Sequence, residues 1–182
     1  MIGAAHGSAD RDAEEHLREV ALFLRVHLDR APGVLWPYFD HPVFDPEAGT
    51  AGMGLLARGL AALTGMPVST VAASAERLAC PADTGVWHML VHQCSGRSQW
   101  SVFPGMAREA APALSYTLRS GEVLYAPPGR ACSVQHSADS RCVVSRLDAY
   151  GHEPAVRRAW PRTGGEVPSG RPRPPPGSGW SR

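Results

Sequence analysis

The feature that most constrains this chain is a change of period at Val68. From there to Leu147 the apolar residues come in short runs: Val68–Ala73, Trp87–Gln93, Gln99–Phe103, Leu114–Leu118, Val123–Ala126, Cys132–Gln135 and Cys142–Leu147. Turn formers separate most of them, at Ser95-Gly96, Pro104-Gly105, Ser120-Gly121, Pro127-Pro128-Gly129 and Ser137–Ser140. Runs this short cannot be helices that bury a stripe. At this spacing they predict an antiparallel sandwich or barrel.

The segment before Val68 reads differently. Leu17, Val20, Ala21, Leu24 and Leu28 follow a helical period, while Glu14, Glu15, Arg18, Glu19 and Arg25 cover the opposite face. A helix over 10–30 is expected, with Asp10 or Asp12 as its N-cap and Ala31-Pro32-Gly33 as its end. Residues 34–50 carry Trp36, Tyr38, Phe39 and Phe44 among prolines. Each proline removes a backbone donor, so the expectation is an irregular segment laid over the core. A short helix over 54–63 follows, closed by Gly65 and Pro67. The class is therefore β-dominant α+β, an antiparallel β-sandwich with N-terminal helices. The expected divisions are 1–66, 67–150 and a disordered Pro/Gly/Arg-rich tail over 151–182.

Composition narrows the function classes. The 182 residues carry a net charge of +1, so no single-sign field recruits nucleic acid or an anionic membrane. No run approaches the length of a membrane span and Met1–Asp10 lacks a signal pattern, so the expectation is a cytoplasmic protein. The four cysteines, Cys80, Cys94, Cys132 and Cys142, show no zinc-module spacing. They read as buried thiols, and Cys132 and Cys142 oppose each other only if the last hairpin turns at Ser137.

Two stretches point further. In the first, an apolar strand from Val86 ends in Gln93 and is followed by Gly96-Arg97-Ser98-Gln99-Trp100. In the second, Gly121, Leu124, Tyr125, Pro127 and Gly129 run toward Cys132. Together they resemble the JmjC-type and ribosomal-oxygenase-type cupins, over about 85 residues. That resemblance implies a double-stranded β-helix, and it implies Fe(II) held by a His-x-Asp pair and a distant His, with 2-oxoglutarate anchored by a basic residue.

Residue by residue, this chain departs from that pattern. The His-x-Asp region falls within 80–85, where Asp83 is a carboxylate with no preceding His. The anchoring position is Ser98, and the distal His position is Cys132. Along a strand, four residues span roughly 13 Å, so His136 cannot stand in for Cys132, nor His88 and His92 share an ion. A set of Asp83, Cys132 and His88 would be soft, suiting zinc or copper. Arg97 or Arg130 could receive an anion. Trp87, Trp100, Phe103, Tyr116 and Tyr125 could line an apolar pocket or pack the core. The cosubstrate or pocket candidates are thus Ser98, Arg97, Trp100 and Tyr125.

Three readings follow. One is a cupin whose metal triad has degenerated into a binding or scaffold module for a small molecule or protein, alone or as a homodimer. The second is an active oxygenase with non-standard ligands, using Fe(II) and 2-oxoglutarate. The third is an unrelated β-sandwich interaction protein.

Overall fold

A computed structural model describes residues 5–45, 47–74 and 84–148, with side chains from Asp10 onward. The chain divides into two compact units, Met1–Gly151 and His152–Arg182, and the described residues belong to the first. Asp83, Cys80 and the expected disordered tail lie outside the described residues.

Helix α1, Ala5–His27, begins before the expected caps, so Asp10 and Asp12 lie within it. His16, Val20 and Leu24 form its buried stripe, and Arg18 bonds to Glu14 and Glu15 on the wet face. Asp29, at φ 57°, turns the chain after the helix. The next segment is less irregular than the prolines suggest. Gly33–Leu35 forms a strand, β1, on the sheet edge, ended by Trp36-Pro37, and Pro42–Phe44 makes one 3-10 turn. An edge strand needs donors on one side only, which is why a three-residue piece survives between prolines. Helix α2, Gly49–Thr64, ends at Gly65 in the left-handed conformation, whose N–H bonds to the carbonyl of Ala61.

The predicted β run appears as β2 (Val68–Ser74), β3 (Trp87–Ser95), β4 (Arg97–Val102), β5 (Leu114–Arg119), β6 (Val123–Ala126), β7 (Cys132–His136) and β8 (Arg141–Asp148). They form a five-stranded sheet in the order β1-β6-β3-β8-β2 and a three-stranded sheet in the order β5-β4-β7, with every pair antiparallel. The pairing is nested: β4 with β5 inside β3 with β6, and β4 with β7 inside β3 with β8. That nesting arises when a long antiparallel ribbon is rolled into two facing sheets.

Two apolar layers hold the roll together. Between the sheets lie Met89, Val91, Trp100, Val102, Leu118, Leu124, Cys132 and Val144. On the outer face of the large sheet, Val20 and Leu24 of α1 and Leu56 and Leu60 of α2 pack on Leu90, Tyr125, Val143 and Leu147. Strand β3 is therefore covered on both faces and buried from His88 to Gln93. Cys132 and Cys142 sit in different sheets, Cys132 opposite Val102 and Cys142 opposite Gln93, so the hairpin that would oppose them does not form.

Candidate functional site

Alternation along β3 decides which residues enter the barrel. Met89, Val91 and Gln93 point between the sheets. His88, Leu90 and His92 point to the helices. The inward face ends in a polar cluster, in which Ser98 donates to Gln93 Oε1 and accepts from Trp100 Nε1 at 2.8 Å. Gln93 Nε2 donates to the carbonyl of Ser95 at 2.6 Å and to Ser140 Oγ at 2.9 Å. His136, from β7, meets Ser140 Oγ at 3.0 Å and the edge of Trp100. Ser98 is thus engaged in positioning Gln93 and Trp100, and Arg97 beside it is exposed at the start of β4.

Among the described residues, the barrel interior brings together no ligand set for a ferrous 2-oxoglutarate site. Cys132 is buried among apolar side chains, where the resemblance requires an imidazole. His88 cannot join it, because His88 lies on the opposite face of the large sheet. Its Nδ1 accepts the Tyr125 hydroxyl at 2.9 Å, and that hydroxyl accepts the N–H of Asp29. Tyr125 likewise faces the helices, edge-on to Phe23, and lines no pocket inside the barrel. Burial pushes its phenol up to about 12. Trp100 faces inward and packs as core. Arg130 reaches the Pro104 carbonyl and closes a loop.

A second polar group, not foreseen from sequence, lies between α1, the 3-10 turn and β3. His16, His41 and His92 are all buried. The His16 and His92 Nε2 atoms are 3.4 Å apart, a spacing that one tetrahedral metal could also span. Their partners fix the tautomers. His16 Nδ1 donates to the Phe39 carbonyl at 3.0 Å, which leaves its Nε2 to accept from His92. His41 Nδ1 accepts the N–H of Val43 at 3.0 Å, so its Nε2 carries the hydrogen and offers no lone pair. Among the described residues no group of three His, Cys, Asp or Glu side chains is arranged to hold a metal. Burial lowers the basicity of all three rings, His41 to about 4 and His92 well below its usual value. The trio is neutral at pH 7. Its sequence signal was weak: His16 falls on the helix's apolar stripe, but His41 is isolated among prolines.

The third feature is a cavity of about 490 Å³ outside the barrel, between the start of α2 and the end of the large sheet. Val43, Cys142 and Val143 are buried at its floor, while Asp45, Thr50 and Arg141 are exposed and stand at its mouth.

Two sheets rolled from one nested ribbon, facing across an apolar interior, define the double-stranded β-helix. The fold is cupin-like. No protein-family model matches this cupin-like chain, and no curated protein matches it. Among solved structures it is similar to Escherichia coli ycfD, at 14% identity and TM-score 0.49, over 86% of this chain and 62% of that one. A second structure of this ribosomal oxygenase aligns at 16% identity and TM-score 0.44, over 70% of this chain and 38% of that one. Streptomyces albus HEPD aligns at 15% identity and TM-score 0.35, over 50% and 20%. The cupin-like chain thus spans 38% to 62% of these two ribosomal oxygenase chains. At such identities the likeness concerns fold, which the strand order already establishes. No helix among the described residues is long and apolar enough to cross a membrane.

Proposed function

We propose that this is a non-catalytic cupin-fold binding module, related in architecture to Fe(II)/2-oxoglutarate oxygenases but without their reaction. The observation that carries the reading is the use of the interior. The distal ligand position holds Cys132 within an apolar cluster, Ser98 is committed to Gln93 and Trp100, and both β3 histidines face the helices. A ferrous centre needs imidazole and carboxylate ligands on one face, with open positions for cosubstrate and O₂. The inward face instead packs apolar atoms against a polar cluster whose hydrogen bonds are internal.

The experiment is metal and turnover analysis of the purified chain after incubation with Fe(II) and 2-oxoglutarate. The expected result is far less than one iron per chain and no succinate above the protein-free control. Stoichiometric iron, with succinate formation lost in Asp83→Ala, would overturn the proposal and restore the oxygenase reading.

A further inference from the structure

The cavity beside α2 has the size and chemistry of a small-molecule site, since such sites run to roughly 300–1,000 Å³, apolar inside with a few polar groups for orientation. Its inner wall is Val43, Met53, Ala72, Cys142 and Val143, drawn from the 3-10 turn, the helix and two strands of the large sheet. Cys94 also contributes, and burial pushes its thiol up to about 11, so at neutral pH it is an uncharged apolar surface.

The mouth is polar and carries both signs, with Asp45 and Arg141 in its lining. Arg141 is exposed there, and the ion contacts among the described residues, Arg18 with Glu14 and Glu15 and His88 with Asp29, leave its guanidinium out. Gly49 and Thr50 also line the cavity and belong to the first turn of the 16-residue α2. That turn has no side-chain cap and no acidic residue, so no side chain of the turn itself satisfies its first N–H groups, although Asp45 and Glu47 lie just before it. Asp45 disfavours an anion there, but its Oδ1 accepts the N–H of Glu47, which holds that oxygen to its own loop. A guanidinium and an open helix start, set over an apolar floor, complement one kind of small molecule.

We propose that this cavity binds a small amphiphilic carboxylate, its apolar body inside and its head group between Arg141 and the first turn of α2. This rests on the reading of the chain as a binding module and names its ligand class. The site is outside the barrel, so the two ideas fail separately: iron content tests the first and leaves the second untouched.

The test uses decanoate as the probe and decanol as its neutral isostere, titrated into the full chain by calorimetry. Amide shifts of Thr50, Ala73 and Val143 locate the site. Decanoate is expected to bind at least tenfold more tightly than decanol and to shift those amides. Arg141→Gln is expected to weaken decanoate about tenfold, the usual scale of one charge-assisted contact, and to leave decanol unchanged. Met53→Trp, which fills the cavity, should abolish both; if it does not fold, the Arg141→Gln comparison decides. Equal affinity for the two probes, indifference to Arg141→Gln, or shifts confined to other residues would overturn the proposal, as would no binding at millimolar concentration.

Discussion

Gln93 shows how much one side chain decides here. It is fully buried on an otherwise apolar inward face, where an amide without partners would be costly. Its oxygen accepts from Ser98, and its nitrogen reaches the Ser95 and Arg141 carbonyls across the place where the β3–β8 register shifts. The amide thus holds a β-bulge, taking up carbonyls that the broken ladder leaves over. Replacing it with Leu keeps the volume but takes one partner from each of two buried hydroxyls, Ser98 and Ser140. Gln93→Leu should lower unfolding stability by about 2–3 kcal/mol in urea titration, with an unchanged denaturant slope. A loss below about 0.5 kcal/mol would mean that the bulge is held by the strands themselves.

At the scale of elements, the strands were the legible part. Among β2 to β8, β6 has the expected bounds and the rest differ by one or two residues at an end, because short apolar runs between turn formers leave little room for other structure; β1 was not expected. What the sequence did not show was facing. His88, His92 and Tyr125 stand in runs that read as barrel wall, yet their parity turns them toward helices that come from far earlier in the chain. Because both faces of β3 are covered, hydropathy does not alternate along it and cannot say which face is inside. The same layer predicts a pH dependence. His16, His41 and His92 are less basic folded than unfolded, so between pH 6.5 and about 4 the unfolded chain binds more protons. Stability is then complete above pH 6.5 and falls as the pH drops through that window. His41 contributes on the order of 3 kcal/mol, from 6.5 to about 4 at about 1.36 kcal/mol per unit. Glu19 and Asp40 face His16 and partly offset the effect by favouring its charged form. His41→Asn keeps an acceptor for the Val43 N–H and removes one titration. Urea midpoints at pH 7, 5.5 and 4.5 should fall steeply in the natural chain and less steeply in this variant; parallel curves would show that the cluster is already protonated or open.

For the described unit as a whole, the question is whether the helical layer and the barrel unfold together. The large sheet belongs to both apolar layers: Leu90 and Tyr125 face outward to α1 and α2, while Met89, Val91 and Leu124 on the same strands face Trp100 and Leu118. Loss of the helices would expose one full face of β3 and leave Leu90, His88 and His92 in water, at a cost of about 25 cal/mol per Å² of apolar surface. A three-stranded sheet against an uncovered five-stranded one is a poor refuge for those atoms, so cooperative unfolding is the physical expectation. Leu24→Ala tests it, since Leu24 is a buried α1 residue with no atom in the inter-sheet cluster. The truncation should cost about 2–5 kcal/mol. If the layers form one cooperative unit, amide exchange at Val20 in α1 and at Val91 in the barrel wall should accelerate by the same factor. Faster exchange at Val20 with Val91 unmoved would show that the helices open first, and the buried histidines and the cavity beside α2 would then be exposed while the barrel stays closed.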